Sequence, residues 1–232
     1  MVRKLLRFFK KIVIWLFILS IGFVILYKWV PVPLTFTMIS RSVSQMINGE
    51  KLVWKHDWVS IENISPYVPR AVIASEDNLF TKHYGFSFKA IQKAYNENEK
   101  GKKLRGGSTI SQQTAKNVFL WQGRNYIRKG LEVYFTGLIE LVWGKKRIME
   151  VYLNSIEMGK GIYGIEAASR HWYGKSAKNL TPIEAAGIAA ILPNPRKFKA
   201  SNSSNYTNLR KAKIQALMFK IGKVDYNARS NK

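Results

Sequence analysis

Gly106-Gly107-Ser108-Thr109-Ile110-Ser111-Gln112-Gln113-Thr114-Ala115-Lys116-Asn117 is the stretch on which the reading of this chain turns. Thr109 followed three residues later by Gln112 has the form of a capping box, in which each side chain takes a backbone N–H that the helix start leaves unpaired. A helix is therefore predicted from this point through Asn117. The Gly-Gly-Ser-Thr turn delivers the chain to a helix N-terminus, a place that favours anions because free N–H groups and the helix dipole point outward there. Ser108 and Thr109 are candidates for substrate binding on that ground, and Gln112, Gln113, Lys116 and Asn117 follow on the helix. Walker A spacing is missing, so nucleotide hydrolysis is not indicated.

Working outward, helices dominate. Upstream, the apolar run Ala71–Ala74 ends at two adjacent carboxylates, Glu76 and Asp77. Residues 96–106, NENEKGKKLRG, form a polar loop expected to be mobile. Downstream, a helix from about Tyr126 to Trp143 places Leu131, Tyr134, Phe135, Leu138 and Val142 on one face, and Lys146–Asn154 continues with Ile148, Val151 and Tyr152 in register. Thr181-Pro182-Ile183-Glu184 has an N-cap residue, proline at the first helical position and a capping glutamate. It opens an apolar helix that Pro193 ends, and a last helix spans about Leu209–Ile221. Strand patterns are scarce. The fold class is mainly α.

Charge and the N-terminus place the chain at a membrane. The 232 residues carry a formal charge of +24, which suits polyanions or an anionic surface. Nucleic acid is the bland reading of such a charge, and the anchor argues against it. Arg3, Lys4, Arg7, Lys10 and Lys11 precede the uncharged run Ile12–Tyr27, which Lys28, Trp29 and Val30 extend to roughly 19 residues, about 29 Å of helix. Pro31 and Pro33 stop it, and no small-residue cleavage pattern follows. The expected organisation is a cytoplasmic basic segment at 1–11, a signal anchor at 12–30, and a membrane-proximal segment at 31–53. A catalytic domain at 54–224 and a polar tail at 225–232 lie across the membrane. Within 31–53, Ile39, Val43, Met46 and Ile47 follow helical spacing, which suits equally a helix lying on a bilayer or an ordinary core-facing helix. Cysteine is absent, and His56, His83 and His171 are too scattered for a zinc site.

Two constellations carry chemistry. Glu76 and Asp77, with His83 shortly after, put a carboxylate at the edge of an apolar segment, where it can act as a general base. Taken alone such a pair is more often a helix end capped by surface acids, and a lone histidine is more often a packing residue. The second constellation sets Lys116, Arg124, Arg128 and Lys129 beside Glu132. Arg128 and Glu132 are four apart and share a helix face, but Arg-before-Glu is the weaker order for helix support. A cation cluster beside a carboxylate suits a phosphate or diphosphate.

At this point the chain resembles a known family. ED-x-x-F-x-x-H-x-G at Glu76–Gly85 and GGSTISQQTAKN at Gly106–Asn117 are similar to the first two motifs of the peptidoglycan glycosyltransferases. RKGLE at Arg128–Glu132, KKRIMEVYLN at Lys145–Asn154 and GKGIYGIEAASRHWYGK at Gly159–Lys175 are similar to the third, fourth and fifth. The resemblance covers about residues 55–200, and the variant it most resembles is the monofunctional biosynthetic transglycosylase. Ser87 departs from the pattern, which often has Asp there, and residues 158–161 vary around the fifth motif. No S-x-x-K occurs, so a penicillin-binding transpeptidase activity is not expected.

The resemblance implies a lysozyme-like, two-lobed fold that joins a growing glycan chain to the lipid-linked disaccharide-pentapeptide, lipid II, at the membrane. Glu76 would be the base and Glu132 the second catalytic carboxylate. Lys116, Arg124, Arg128 and Lys129 would hold the diphosphate, and Gln112, Gln113, Asn117, Ser108, Thr109 and His83 are further substrate-binding candidates. No organic cofactor is implied; Mg²⁺ or Mn²⁺ on Glu76 or Glu132 is an open alternative, and cell-wall synthases or divisome proteins are expected partners. A lysozyme-like hydrolase shares the helical cleft and a catalytic glutamate but needs neither a phosphate-binding cluster nor lipid access. A non-enzymatic scaffold would not need both glutamates.

Overall fold

The computed structural model describes residues 2–87, 92, 107–123 and 125–228. The expected mobile loop at 96–106, Arg124 and residues 229–232 of the tail lie outside them. In chain order the helices are α1 (Val2–Leu26), α2 (Phe36–Ile47), α3 (Tyr67–Glu76), α4 (Ile110–Phe119), α5 (Tyr126–Val142), α6 (Gly144–Ser155), α7 (Ile165–Tyr173), α8 (Pro182–Ile191) and α9 (Asn205–Ile221). A small sheet, in the order β1 (Lys55–His56), β3 (Ile162–Tyr163), β2 (Glu157–Gly159), joins the segment after α2 to the hairpin before α7. The fold is mainly α, as the sequence predicts.

Local chemistry sets the helix starts. Thr109 and Thr181 both close capping boxes, with Gln112 and Glu184. Asn125 caps α5 through the Arg128 N–H, and Ser204 caps α9. One helical group packs α3 against α8 and α9; the other packs α4 against α5 and α6. Ile139, Ile148, Met149, Tyr152, Leu153 and Ile188 are buried among them.

Three features add to the sequence reading. The anchor helix begins at Val2 and ends at Leu26, short of Val30 and well before Pro31. What ends it is a side chain: the Arg147 guanidinium donates to the Tyr27 carbonyl at 2.9 and 3.0 Å and to the Val30 carbonyl at 2.6 Å, satisfying acceptors a helix end leaves free. Trp143 Nε1 donates to the Val24 carbonyl, and Ser20 shares a hydrogen bond with the Tyr134 hydroxyl. The stripe Leu131, Tyr134, Leu138 and Val142 on α5 is only half-buried, because it faces this anchor; the deeper face carries Arg128, Glu132, Phe135, Thr136 and Ile139.

The third concerns α2, whose burial favours the bilayer-lying reading over the core-facing one. Thr37, Ser42 and Gln45 are buried while Ile39, Val43, Met46 and Ile47 are exposed, Ile47 to 79%. Thr37 bonds Asn117 and Gln122, and Gln45 bonds the backbone of Val53 on both sides. Polar groups therefore hold the helix to the domain and leave an apolar face outward, the pattern of an interfacial helix.

Candidate active site

Glu76 is the last residue of α3, and it looks across to α4. Gln113 Nε2 donates to Glu76 Oε2 at 3.3 Å, and the fully buried Tyr152 hydroxyl fixes the Gln113 amide by donating to its Oε1 at 3.2 Å. Arg210 of α9 reaches the other carboxylate oxygen at 3.5 Å while its Nε donates to the Ala190 carbonyl at the end of α8. Burial raises the Glu76 pKa above the usual carboxylate range; the Gln113 hydrogen bond and the Arg210 charge pull it back. The side chain stays 15% exposed. A carboxylate so held has a raised proton affinity and an open edge, as a general base requires.

The neighbouring Asp77 has a different task. Its buried carboxylate accepts from the first backbone N–H of α4, at Ile110, and bonds His83 Nε2 at 2.9 and 3.1 Å. It thus pins the loop after Glu76 to the start of α4. Thr109 adds a hydrogen bond of 2.6 Å to the Gly85 carbonyl. Gly85 has a φ of +81°, and a Cβ there would lie 2.7 Å from Thr136 Cγ2 and 3.0 Å from Glu140 Cγ. Only glycine accepts both that conformation and that closeness.

One turn along α4 from Gln113, Lys116 enters the second cluster. Glu132 is buried, with Arg128 Nη1 at 3.2 Å from one oxygen and Lys129 Nζ on the other. Burial lowers the Lys116 pKa; Glu132 opposes that, and Arg128 and Lys129 add to it. Two cations thus hold one carboxylate, with the charge of Lys116 close enough to be felt, and the buried Arg128 Nε has no hydrogen-bond partner among the described residues. That surplus of donors suits an incoming dianion.

The structure therefore brings Glu76 to Gln113, and Arg128 and Lys129 to Glu132, with Lys116 of α4 in the electrostatic neighbourhood of that second group. Thr109, Gln112 and His83 are engaged internally, in the capping box and with Asp77. Asn117 bonds Thr37 of α2, and Ser108 is exposed beside the turn. The Glu76 and Glu132 oxygens face Arg210, Arg128 and Lys129. Sequence reasoning missed Arg210, Tyr152 and the pinning role of Asp77. Arg210 reads as one of several solvated cations on the last helix, and no local signal shows that this helix folds back onto Glu76.

Comparison with known proteins identifies the family. The family model described as Transglycosylase matches residues 43–219, a span that includes Arg210 and most of α9. A biosynthetic peptidoglycan transglycosylase of Bacteroides thetaiotaomicron is 54% identical over 217 residues, 94% of this chain and 88% of that protein. One from Caulobacter vibrioides is 56% identical over 191 residues, covering 82% and 81%, and one from Pseudomonas fluorescens is 47% identical over 222 residues, covering 96% and 92%. With both glutamates, the cation cluster and Arg210 inside the matched span, the chain belongs to the transglycosylase family, as a peptidoglycan glycosyltransferase of cell-wall biogenesis.

Proposed function

We propose that the enzyme polymerises lipid II, with Glu76 as the base and the Lys116–Arg128–Lys129 cluster as the seat of the leaving diphosphate. The observation that carries the assignment is α4. A single rigid helix presents Gln113 to the Glu76 carboxylate and Lys116 to the cations around Glu132. The 4-hydroxyl of the acceptor sugar attacks the anomeric carbon of the donor. Its proton passes to Glu76, the new C–O bond forms, and the bond from carbon to the lipid diphosphate breaks on the opposite face. An α-linked donor then gives a β-1,4 link, with inversion. Charge gathers on the departing diphosphate, and cations fixed there beforehand stabilise that state more than the ground state. Glu132 holds Arg128 and Lys129 in place, and Arg124 is proposed to join them.

The two helical groups are read as the lobes of a lysozyme-like fold, with α2 resting its apolar face on the bilayer. The basic residues ahead of Ile12 place the N-terminus in the cytoplasm and the domain in the periplasm, on the inner membrane.

Labelled lipid II and the detergent-solubilised protein test the reading: a lysozyme-sensitive polymer should form. Glu76→Gln keeps the shape but cannot take the proton, so turnover should fall by roughly 10²–10⁴-fold, while a donor-site inhibitor of the moenomycin type still binds. A variant that retains more than about a tenth of parental turnover removes Glu76 from the base role.

A further inference from the structure

Away from both glutamates the molecule has a second concavity. A groove of about 610 Å³ is formed by the segment entering β1, the β2–β3 turn, the end of α7 and the loop after α8. None of the residues assigned to the base or to the diphosphate lines it. Its walls carry two kinds of side chain. Trp54, Trp172 and Phe198 supply aromatic faces, and six lysines or arginines supply charge.

The aromatic faces are held in place. Trp172 Nε1 donates to the Met158 carbonyl at 2.8 Å, Trp54 packs against Tyr163 at 6.1 Å between ring centres, and Phe198 packs against Tyr206 at 5.3 Å. The cations are mostly uncompensated. Lys160 pairs with Glu50, and Arg196 lies 3.9 Å from Glu157. Lys51, Lys55, Lys197 and Lys199 form no ion pair with an acidic side chain among the described residues. His171 adds no stable charge, because burial and the nearby Lys55 both lower its pKa.

Fixed indole faces beside uncompensated ammonium groups suit a ligand that joins rings with an apolar C–H face to carboxylates. A sugar ring lays its C–H face on an aromatic ring, and each carboxylate takes an ammonium partner. A bilayer would use neither the concavity nor the inward-turned Trp172, and the exposed apolar face of α2 contributes no residue to the lining. We propose that this groove is a binding site for the acidic peptide-bearing disaccharide of peptidoglycan, gripping a strand or precursor by its peptide carboxylates away from the reacting centre. The proposal rests on the polymerase reading for its choice of ligand.

Full-length protein in detergent micelles is titrated calorimetrically with a soluble disaccharide-peptide bearing free carboxylates. The same disaccharide without peptide, and the peptide with its carboxylates amidated, serve as comparisons. Binding should be saturable and weakened by salt. It should fall about tenfold or more, equivalent to roughly 1.4 kcal/mol, in Lys197→Ala/Lys199→Ala and in the amidated ligand, while Lys116→Ala retains it. Both lysines are on the surface, so the double variant should keep the parental melting temperature; Lys197→Arg/Lys199→Arg should restore binding. Equal binding of the peptide-free sugar, or no loss in the double variant, overturns the proposal. Phosphatidylglycerol nanodiscs that bind through the same lysines, with no disaccharide-peptide binding, assign the groove to the bilayer and also overturn it. Lipid II polymerisation is assayed on the same preparation. Polymer formed without disaccharide-peptide binding defeats the groove alone, and disaccharide-peptide binding without polymer defeats the polymerase reading alone.

Discussion

Replacing Gly85 with alanine should uncouple the loop after Glu76 from the helix it packs on, and the structure separates the cost into two parts. The backbone part comes from the φ of +81°, a conformation that costs an L-residue roughly 1–2 kcal/mol. The steric part comes from Thr136 Cγ2 at 2.7 Å and Glu140 Cγ at 3.0 Å from the new Cβ. Thr136 is fully buried and β-branched, so it cannot swing away, and overpacking of this kind costs about 1–3 kcal/mol. Together they predict a loss of about 2–5 kcal/mol, or roughly 4–20 °C in melting temperature for a domain of this size. Thr136→Ser removes the offending methyl and keeps the hydroxyl that donates to the Glu132 carbonyl. Added to Gly85→Ala it should return the Thr136 share of the steric part and leave the Glu140 contact and the backbone part. A thermal melt of the four proteins in one detergent, followed by tryptophan fluorescence, measures the coupling. Full stability in Gly85→Ala, or no relief from Thr136→Ser, would refute the packing argument.

The remaining expectations concern the site and the membrane face. Glu76 must be ionised to accept a proton, and Arg210 is one of the groups holding its raised pKa down. Arg210→Gln should therefore raise it further and move the acid limb of the rate–pH profile to higher pH, whereas an unmoved limb with a lower plateau would make Arg210 structural only. Lys116→Ala should slow polymerisation by roughly 10–150-fold through the lost charge-assisted contact. Its melting temperature should hold, since burial already disfavours that charge; parental polymerisation would remove Lys116 from the diphosphate site. Residues 31–232 should still float with liposomes through α2, and Val43→Asp/Ile47→Asp in that fragment should drop it into the aqueous fraction; flotation unaffected by the two aspartates would deny α2 its membrane role.

What was legible in the sequence was whatever local geometry decides. A threonine and a glutamine or glutamate three residues apart fix a helix start, and both capping boxes stand where the spacing puts them. Arg128, Lys129 and Glu132 meet because they lie three and four apart on one helix. The Glu76–Gln113 contact joins two stretches that family motifs had already marked. Burial sense was harder. The apolar spacing of α2 finds the helix but not that its polar side faces inward, because that depends on Asn117, Gln122 and Val53 arriving from elsewhere. Arg210 was invisible for the same reason, since its partner is 134 positions away in the chain. Asp77 looked like half of an acidic pair, and only the arrival of His83 and the Ile110 N–H shows it to be a fastener.

Arg147 and Trp143, described above as capping the anchor, also decide how the enzyme can move. An unstructured tether of ten residues would let a domain wander through roughly 17–19 Å. Here the guanidinium and the indole grip the carbonyls at residues 24, 27 and 30 directly, so anchor and domain turn as one lever. Under the reading proposed above, the site then keeps a single height above the bilayer, and a lipid-linked substrate reaches it by a two-dimensional search with the vertical coordinate already solved.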